Sequence, residues 1–304
     1  MAETAILLMA YGTPNSIEEI EPYLIDIRRG RKPSPEAVED LKRRYLKIGG
    51  GSPLLEITRE QASALEKRLR SEGVTHQVYF GMKHWHPYIR EVVPEILGDG
   101  YDRIVGLVLA PHYSMMSIEG YKSALQEAVS SNSTLSVDFV DSWYDNHLFH
   151  QAVHEKIRDA LKQFAQPEKV HLLFTAHSLP ERILASKDPY PTQLEYSCRS
   201  VANLLGRKEW SFAYQSAGQT DEKWLGPDIL DYIQESQHRI SDVLVVPIGF
   251  VADHLEILYD IDVEAQDLAQ TLSVNLRRTE SLNTSPTFIS ALTDIVQKRI
   301  DSAA

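Results

Sequence analysis

The chain has 304 residues, of which 43% are apolar, and its formal net charge at pH 7 is −12. This length and composition allow a substantial core in about two domains. The negative charge argues against a nucleic-acid partner, because phosphate binding needs a basic face. No run of about 18 apolar residues occurs, and the N-terminus has no basic region followed by an apolar stretch. We therefore expect a cytoplasmic protein with no membrane span.

The first half of the chain alternates strand and helix patterns. A short apolar strand is followed by the polar turn Tyr11-Gly12-Thr13-Pro14, and then helices and a glycine-rich loop precede the next strand. Insertions of this kind often build binding walls. The predicted strands are 5–9, 78–82, 104–109 and 135–139, and the predicted early helices are 17–29, 35–47 and one that ends near Arg70.

The second half repeats this scheme after a bridging helix at 148–164. An N-terminal half, residues 1–146, and a C-terminal half, residues 147–304, follow from this repetition. We predict an α/β fold of two Rossmann-like halves, each with a parallel four-stranded sheet flanked by helices. The predicted elements are strand 171–176, helix 192–205, strand 211–215, helix 227–236, strand 243–247, helix 253–270 and a closing helix at 287–300.

Common cofactor motifs are absent from the sequence. It contains no G-x-G-x-x-G, G-x-x-x-x-G-K-[ST], H-E-x-x-H or G-x-S-x-G, so dinucleotide binding, P-loop chemistry, thermolysin-type zinc sites and the hydrolase elbow lack support. The single cysteine, Cys198, excludes an intrachain disulfide and a four-cysteine iron–sulfur cluster. Apolar neighbours at helical offsets predict that Cys198 is a partly buried helix residue rather than a nucleophile.

Acidic residues follow the predicted strand 243–247. Glu256, Asp260 and Glu264 recur every four residues, so on a helix they would form a ladder of about 12 Å. Each step drifts by about 40° around a regular α-helix, so aligning the three carboxylates needs a local widening. A second strand ends in His177, and imidazole with carboxylate forms an N/O pair suited to a divalent metal or to proton removal. A solvated acidic face is the alternative.

Eight short motifs occur in one order along the chain. They are YGTP at 11–14, RRGRKP at 28–33, GGSPL at 50–54, LAPH at 109–112, AHSLPE at 176–181, DPYP at 188–191, WLGPD at 224–228 and VADHLE at 251–256. Together they resemble the ferrochelatase family, and more narrowly the coproporphyrin ferrochelatases of Gram-positive bacteria. The resemblance implies a chelatase-like fold and a lyase of haem biosynthesis. Such an enzyme inserts Fe²⁺ into coproporphyrin III to give Fe-coproporphyrin III (coprohaem) and releases two protons.

The resemblance also implies roles for particular residues. It makes His177, Glu256 and Tyr11 the catalytic residues, with His177 and Glu256 as the metal ligands. Tyr11 is also implied to bind the porphyrin, on the face of the ring opposite His177. A structural hydrogen bond is the alternative for a strand-end tyrosine. Asp260 and Glu264 are then a hypothetical secondary path for hydrated cations or protons.

Further positions match the propionate-binding residues of the family in the predicted N-terminal wall. Coproporphyrin carries four propionates, which need cationic and hydroxyl contacts. For Arg28 and Arg44, the alternative to binding propionates is pairing with nearby carboxylates. The matching residues are Arg28, Arg44, Tyr45, Ser52 and Tyr121.

Cofactors and partners follow from the same resemblance. We expect no permanently bound cofactor and no iron–sulfur cluster, because Fe²⁺ is a substrate. The expected partners are coproporphyrin III and Fe²⁺, with transient docking to an iron donor or to the next haem-pathway enzyme, and the chain is expected to be a monomer. Two alternatives stay open: a non-catalytic porphyrin or haem carrier, and another tetrapyrrole metal chelatase that handles cobalt or nickel.

Overall fold

The structure is a computed structural model that describes residues 4–130, 135–218 and 220–302. The chain forms two compact units, Met1–Trp143 together with Asn283–Ala304, and Tyr144–Leu282. Each unit has its own sheet of four parallel strands. The predicted α/β fold, with a four-stranded parallel sheet in each half, is therefore confirmed.

In the first unit the strands are β1 Thr4–Ala10, β2 Val78–Met82, β3 Arg103–Val108 and β4 Ser136–Val140. Their order is β2-β1-β3-β4. β1 lies inside the sheet and is buried along its whole length, as expected for a parallel strand covered on both faces. Its C-terminal end therefore delivers residues 11–14 to the carboxyl edge of the sheet, where open α/β folds bind ligands.

The helices that follow in this unit are α1 Ile20–Ile27, α2 Pro35–Lys47, α3 Leu54–Ser71, α4 Ile89–Gly98 and α5 Ile118–Val129. α1 ends earlier than the predicted boundary at residue 29, because Arg29 adopts a left-handed φ of 55°. α2 begins where the sequence predicts it. The Ser34 side chain accepts a hydrogen bond from the Ala37 amide, and Pro35 occupies the first turn.

In the second unit the strands are β5 His171–His177, β6 Ser211–Gln215, β7 Asp242–Val246 and β8 Asn275–Arg278, in the order β6-β5-β7-β8. The sequence did not locate β8. This strand is four residues long, lies at the edge of the sheet, and contains only one buried residue, Leu276. Its pattern therefore lacks the apolar run that identifies an inner strand.

The helices of the second unit are α6 His147–Leu161, α7 Tyr190–Leu204, α8 Ile229–Ser236, α9 Leu255–Leu258 and α10 Gln266–Thr271. The single helix predicted over 253–270 is wrong in one respect, because a π-helical segment, Asp260–Ala265, separates α9 from α10. The fully buried residues of this region recur every four positions, and the wider π turn keeps such residues facing the sheet. They are Ile257, Ile261, Ala265 and Ala269.

The C-terminal helix, α11 Pro286–Asp301, confirms the closing helix predicted at 287–300. It contacts α3 and β3, and the Gln61 side chain of α3 donates a hydrogen bond to the Asn283 carbonyl at 2.9 Å. These contacts place α11 in the first unit, whereas the predicted C-terminal half, residues 147–304, includes it. None of the helices in the described ranges combines the length and the apolar composition needed to cross a bilayer.

Candidate functional site

His177 is the last residue of β5, and its neighbours fix the orientation of its ring. The imidazole Nδ1 donates a hydrogen bond to the Ser178 carbonyl oxygen. The Tyr190 hydroxyl donates to the carbonyl oxygen of His177 at 3.0 Å. Because Nδ1 is occupied by a backbone acceptor, Nε2 is the ring nitrogen left to meet a proton or a metal.

Glu256 faces this nitrogen from the first turn of α9. Its Oε1 lies 3.5 Å from His177 Nε2, and its Oε2 lies 3.5 Å from His254 Nε2. The side chains of His177 and Glu256 keep 33% and 35% of their surface exposed. The structure therefore brings together the two residues that the sequence proposed as a pair, and both remain accessible to a small ligand.

Electrostatic coupling sets the charges of this pair. Removal from water on its own would lower the pKa of His177, but the Glu256 carboxylate outweighs it and raises the pKa to about 9. Burial would raise the pKa of Glu256, but His177 and then His254 hold that pKa well below its usual range. The pair is therefore an imidazolium beside a carboxylate at neutral pH when no metal is bound.

The spacing of the pair fits a shared metal ion. Two ligand atoms at about 2.1 Å from one ion, with an angle of about 90° to 110° between them, lie about 3.0–3.4 Å apart. The observed separation of 3.5 Å between Nε2 and Oε1 is close to this range. Among the residues that the structure describes, no group of three or more His, Cys, Asp or Glu side chains forms a metal cluster. A two-ligand arrangement suits a metal that must leave again.

The acidic ladder continues into the π-helical segment. Asp260 is buried and accepts a hydrogen bond from the Ser216 hydroxyl, and its charge also contributes to the raised pKa of His177. Glu264, one step further, is half-buried. Asp262, in the same segment, is exposed and forms an ion pair with Arg278. The π-helical segment is the local widening that the four-residue spacing of the ladder predicts.

Tyr11 follows β1 in the first unit and is 43% exposed. Its ring centroid lies 4.7 Å from that of His84. The Nδ1 of His84 lies 2.9 Å from Asp26 Oδ2, and the Tyr88 hydroxyl donates to the other oxygen of Asp26 at 3.3 Å. Burial lowers the pKa of His84 despite its contact with Asp26. The imidazole that packs against the exposed Tyr11 ring is therefore neutral at neutral pH.

The proposed propionate contacts differ in their surroundings. Arg28 is exposed. The guanidinium of Arg44 forms an ion pair with Asp40 at 3.0 Å, and Arg43 also pairs with Asp40. For Arg44, the alternative of pairing with a nearby carboxylate therefore describes this structure.

The hydroxyl-bearing members of the set lie deeper. Tyr45 is 2% exposed, and its hydroxyl lies 2.7 Å from the Thr13 hydroxyl. Tyr121 is 5% exposed, and the ammonium of Lys83 lies 5.0 Å from the centroid of its ring. Ser52 is half-buried before α3. All five proposed propionate contacts thus belong to the first unit, in or next to α1, α2, α3 and α5.

His147, His150 and His154 share a helix face in the sequence, and this pattern predicts that the face is solvated. This expectation is wrong for His150, which is 5% exposed and whose Nε2 lies 2.7 Å from the Tyr144 carbonyl oxygen. The carbonyl lies just before the helix, so the ring is held inside instead of facing water. His147 is exposed, as expected, and His154 is half-buried.

Two residues next to the pair, Gln215 and Ser216, gave no sequence signal, whereas Trp224 belongs to the motif WLGPD at 224–228. Gln215 and Ser216 follow one another at the end of β6 and contact the Glu256 backbone and the Asp260 carboxylate. The Trp224 ring lies 6.4 Å from the ring of His177, centroid to centroid. Only the position of Gln215 and Ser216 at the carboxyl end of a predicted strand could have indicated them.

Comparisons with known proteins give a consistent family. A family model described as Ferrochelatase matches residues 3–300. The chain is 46% identical over 300 residues to a protein of Herpetosiphon aurantiacus named Ferrochelatase, covering 97% of this chain and 98% of that protein. It is 42% identical over 301 residues to the Coproporphyrin III ferrochelatase of a Geobacillus species, covering 97% of each.

Solved structures support the fold alone. The chain superposes on SirB from Bacillus subtilis with a TM-score of 0.59 at 13% identity, covering 98% of this chain and 95% of that one. At this identity the similarity concerns the architecture of two α/β halves and not the chemistry of the site.

Proposed function

Because this chain belongs to the ferrochelatase family, an enzyme family of haem biosynthesis, we propose that it inserts Fe²⁺ into coproporphyrin III. The products are Fe-coproporphyrin III and two protons, which come from the two pyrrole N–H groups of the ring. The observation that carries the proposal is the pair of His177 Nε2 and Glu256 Oε1 at 3.5 Å.

The pair supports both parts of the reaction. An imidazole and a carboxylate bind Fe²⁺ more weakly than thiolates would, so the ion can pass from them to the ring nitrogens. Once the metal has left, His177 Nε2 is free to accept a pyrrole proton, and the adjacent Glu256 carboxylate stabilises the imidazolium that results. The raised pKa of His177 in the metal-free state supports this second role.

The residues of the first unit support coproporphyrin III as the substrate. Its four propionates require several cationic partners, and Arg28 is exposed while Arg44 is held by Asp40. In the proposed complex Arg44 exchanges this carboxylate for a propionate. Relatives at 42% identity are named as coproporphyrin III ferrochelatases, whereas the relative at 46% is named only as a ferrochelatase.

We expect Arg28→Ala and Arg44→Ala each to raise KM for coproporphyrin III by roughly 10- to 100-fold, because each removes a charge-assisted hydrogen bond. The rate constant kcat should change far less, since neither residue handles the metal. The measurement is a steady-state kinetic comparison of coproporphyrin III with protoporphyrin IX, in which the variants lose preference for the former.

Arg199→Ala is the matched control for these two variants. Arg199 is an exposed arginine of α7 paired with Glu195, so its loss changes the net charge equally. A fall in kcat with unchanged KM in the Arg28 and Arg44 variants would count against their assignment to the propionates.

The acidic ladder leads to a separate expectation for iron supply. Replacing Asp260 and Glu264 together by alanine should lower kcat/KM for Fe²⁺ by about tenfold, as for other groups placed next to a metal site, and leave porphyrin affinity unchanged. The measurement is iron-dependent turnover at saturating porphyrin. Asp262→Ala, which removes one negative charge from the same segment, is the control for the loss of acidic charge. Unchanged turnover and iron affinity in the double variant would rule out a conduit.

The proposed reaction is tested by one anaerobic assay. Fe²⁺ is added to the enzyme with coproporphyrin III and, in parallel, with protoporphyrin IX, and metal insertion is followed by porphyrin absorbance. We expect insertion into coproporphyrin III to be preferred. A protein that binds the ring without inserting metal would be a carrier, and a preference for Co²⁺ or Ni²⁺ over Fe²⁺ would indicate another tetrapyrrole chelatase.

A further inference from the structure

A fully buried glutamine lies directly behind the metal pair. Gln215 is the last residue of β6 and is paired in register with His177 of β5. Its side chain is 0% exposed. Its backbone carbonyl accepts a hydrogen bond from the Ser178 amide at 2.7 Å. The Gln215 backbone is therefore hydrogen-bonded to the residue that directly follows His177.

The side chain of Gln215 is attached to the other half of the pair. Its Nε2 donates a hydrogen bond to the main-chain carbonyl oxygen of Glu256 at 2.8 Å. One residue therefore connects the strand end that carries the imidazole with the backbone that carries the carboxylate. The separation between the two metal-binding atoms depends on this connection, since they come from different elements.

The segment that carries Glu256 needs such a support. α9 is only four residues long, and its N-cap residue, His254, makes no side-chain capping hydrogen bond. The π-helical segment starts two residues after α9 ends. A helix of this length is not stable through its own hydrogen bonds, and the hydrogen-bond pattern changes where a π-helical segment begins. The Gln215 amide of β6 therefore holds the Glu256 carbonyl in place, which the hydrogen bonds of α9 alone do not do.

The other polar atom of the Gln215 side chain, Oε1, indicates that the residue does more than stabilise the fold. Gln215 Oε1 is buried and has no hydrogen-bond partner within residues 4–130, 135–218 and 220–302. A buried acceptor without a partner destabilises the fold, and an apolar side chain of the same length would avoid this penalty. The amide is therefore better explained by the position that its Nε2 gives to Glu256.

We propose that Gln215 is a positioning residue that sets the distance between His177 and Glu256 and thereby the affinity of the site for the divalent metal. The inference rests on the proposed function, because it assumes that these two side chains bind the metal substrate. Gln215 does not itself contact the metal or the porphyrin.

Gln215→Met tests the proposal, because methionine has a similar length and no amide donor. We expect it to weaken Co²⁺ binding, measured by anaerobic calorimetry on the full chain, by about 10- to 100-fold, as for other residues that orient metal ligands. KM for Fe²⁺ should rise in parallel, and KM for the porphyrin should not change.

Gln61→Met is the matched control. Gln61 is also fully buried, and its Nε2 also donates to a backbone carbonyl, that of Asn283 at 2.9 Å, in the first unit. Its loss should leave Co²⁺ affinity within about twofold of wild type, a change too small for a lost metal-site contact. Equal Co²⁺ affinities in the Gln215 variant, the Gln61 variant and the wild type would overturn the proposal.

A measurement on the wild-type protein covers the case in which the Gln215 variant does not fold. Titration with Zn²⁺ should shift the side-chain amide NMR signals of Gln215 and leave those of Gln61 in place. Unmoved Gln215 signals at saturating Zn²⁺ would contradict the proposal. If His177→Ala fails to weaken Co²⁺ binding, the proposed metal site itself is wrong, whereas intact binding by Gln215→Met alone overturns only the positioning role.

Discussion

Replacing His177 by alanine is expected to lower kcat/KM for iron insertion by on the order of 10²- to 10⁴-fold, the range for a lost proton-transfer group. The variant removes the Nε2 atom that lies 3.5 Å from Glu256 Oε1, so it loses a metal ligand and the proton acceptor at once. The binding of coproporphyrin III should change little, because the proposed propionate contacts are on other residues. Stopped-flow insertion assays and fluorescence titration of the porphyrin separate these two effects.

His171→Ala is the control for this substitution. His171 begins the same strand, β5, at the end opposite His177, and its Nε2 lies 3.1 Å from the Ser211 hydroxyl. It should retain nearly full activity. An active His177 variant, or an equal loss in both variants, would contradict the role proposed for His177.

The affinity of the free enzyme for divalent metal is expected to increase with pH. The pKa of His177 is raised to about 9, so at pH 7 the metal must displace a proton from Nε2. Each unit of pH below about 9 should therefore weaken binding by up to tenfold, and binding should level off above that pKa. Calorimetric titration with Co²⁺ between pH 7 and pH 9.5 measures this slope.

Glu256→Gln tests the cause of the pH dependence. Without the carboxylate, burial dominates, and the pKa of His177 should fall from about 9 to the ordinary histidine range near about 6.5 or below it. An NMR titration of the His177 ring measures the change. A His177 pKa that stays near its wild-type value in this variant would show that Glu256 is not its partner.

Much of the scaffold can be predicted because most of its strands contain apolar or aromatic runs bounded by turn residues. β1, β2 and β6 begin and end within a residue of the predicted boundaries, and the end of such a strand identifies His177 as a residue of the carboxyl edge. The four-residue spacing of Glu256, Asp260 and Glu264 indicated that a regular helix would not align them, and the π-helical segment has the wider turn.

Other features cannot be predicted because they depend on partners distant in the sequence. The burial of His150 results from a single backbone carbonyl at Tyr144, and helical periodicity gives no sign of it. The contact between Gln215 and Glu256 joins residues 41 positions apart. A glutamine at a strand end resembles any polar residue entering a loop, so its burial was not recognisable from the sequence.

The most direct test of the metal pair is anomalous diffraction from crystals of the wild-type protein soaked anaerobically in Fe²⁺ or Co²⁺. We predict a peak bound by His177 Nε2 and a Glu256 carboxylate oxygen at about 2.0–2.3 Å from each. A metal bound elsewhere at full occupancy, with no anomalous peak between these two side chains, would contradict their assignment as the metal-binding pair.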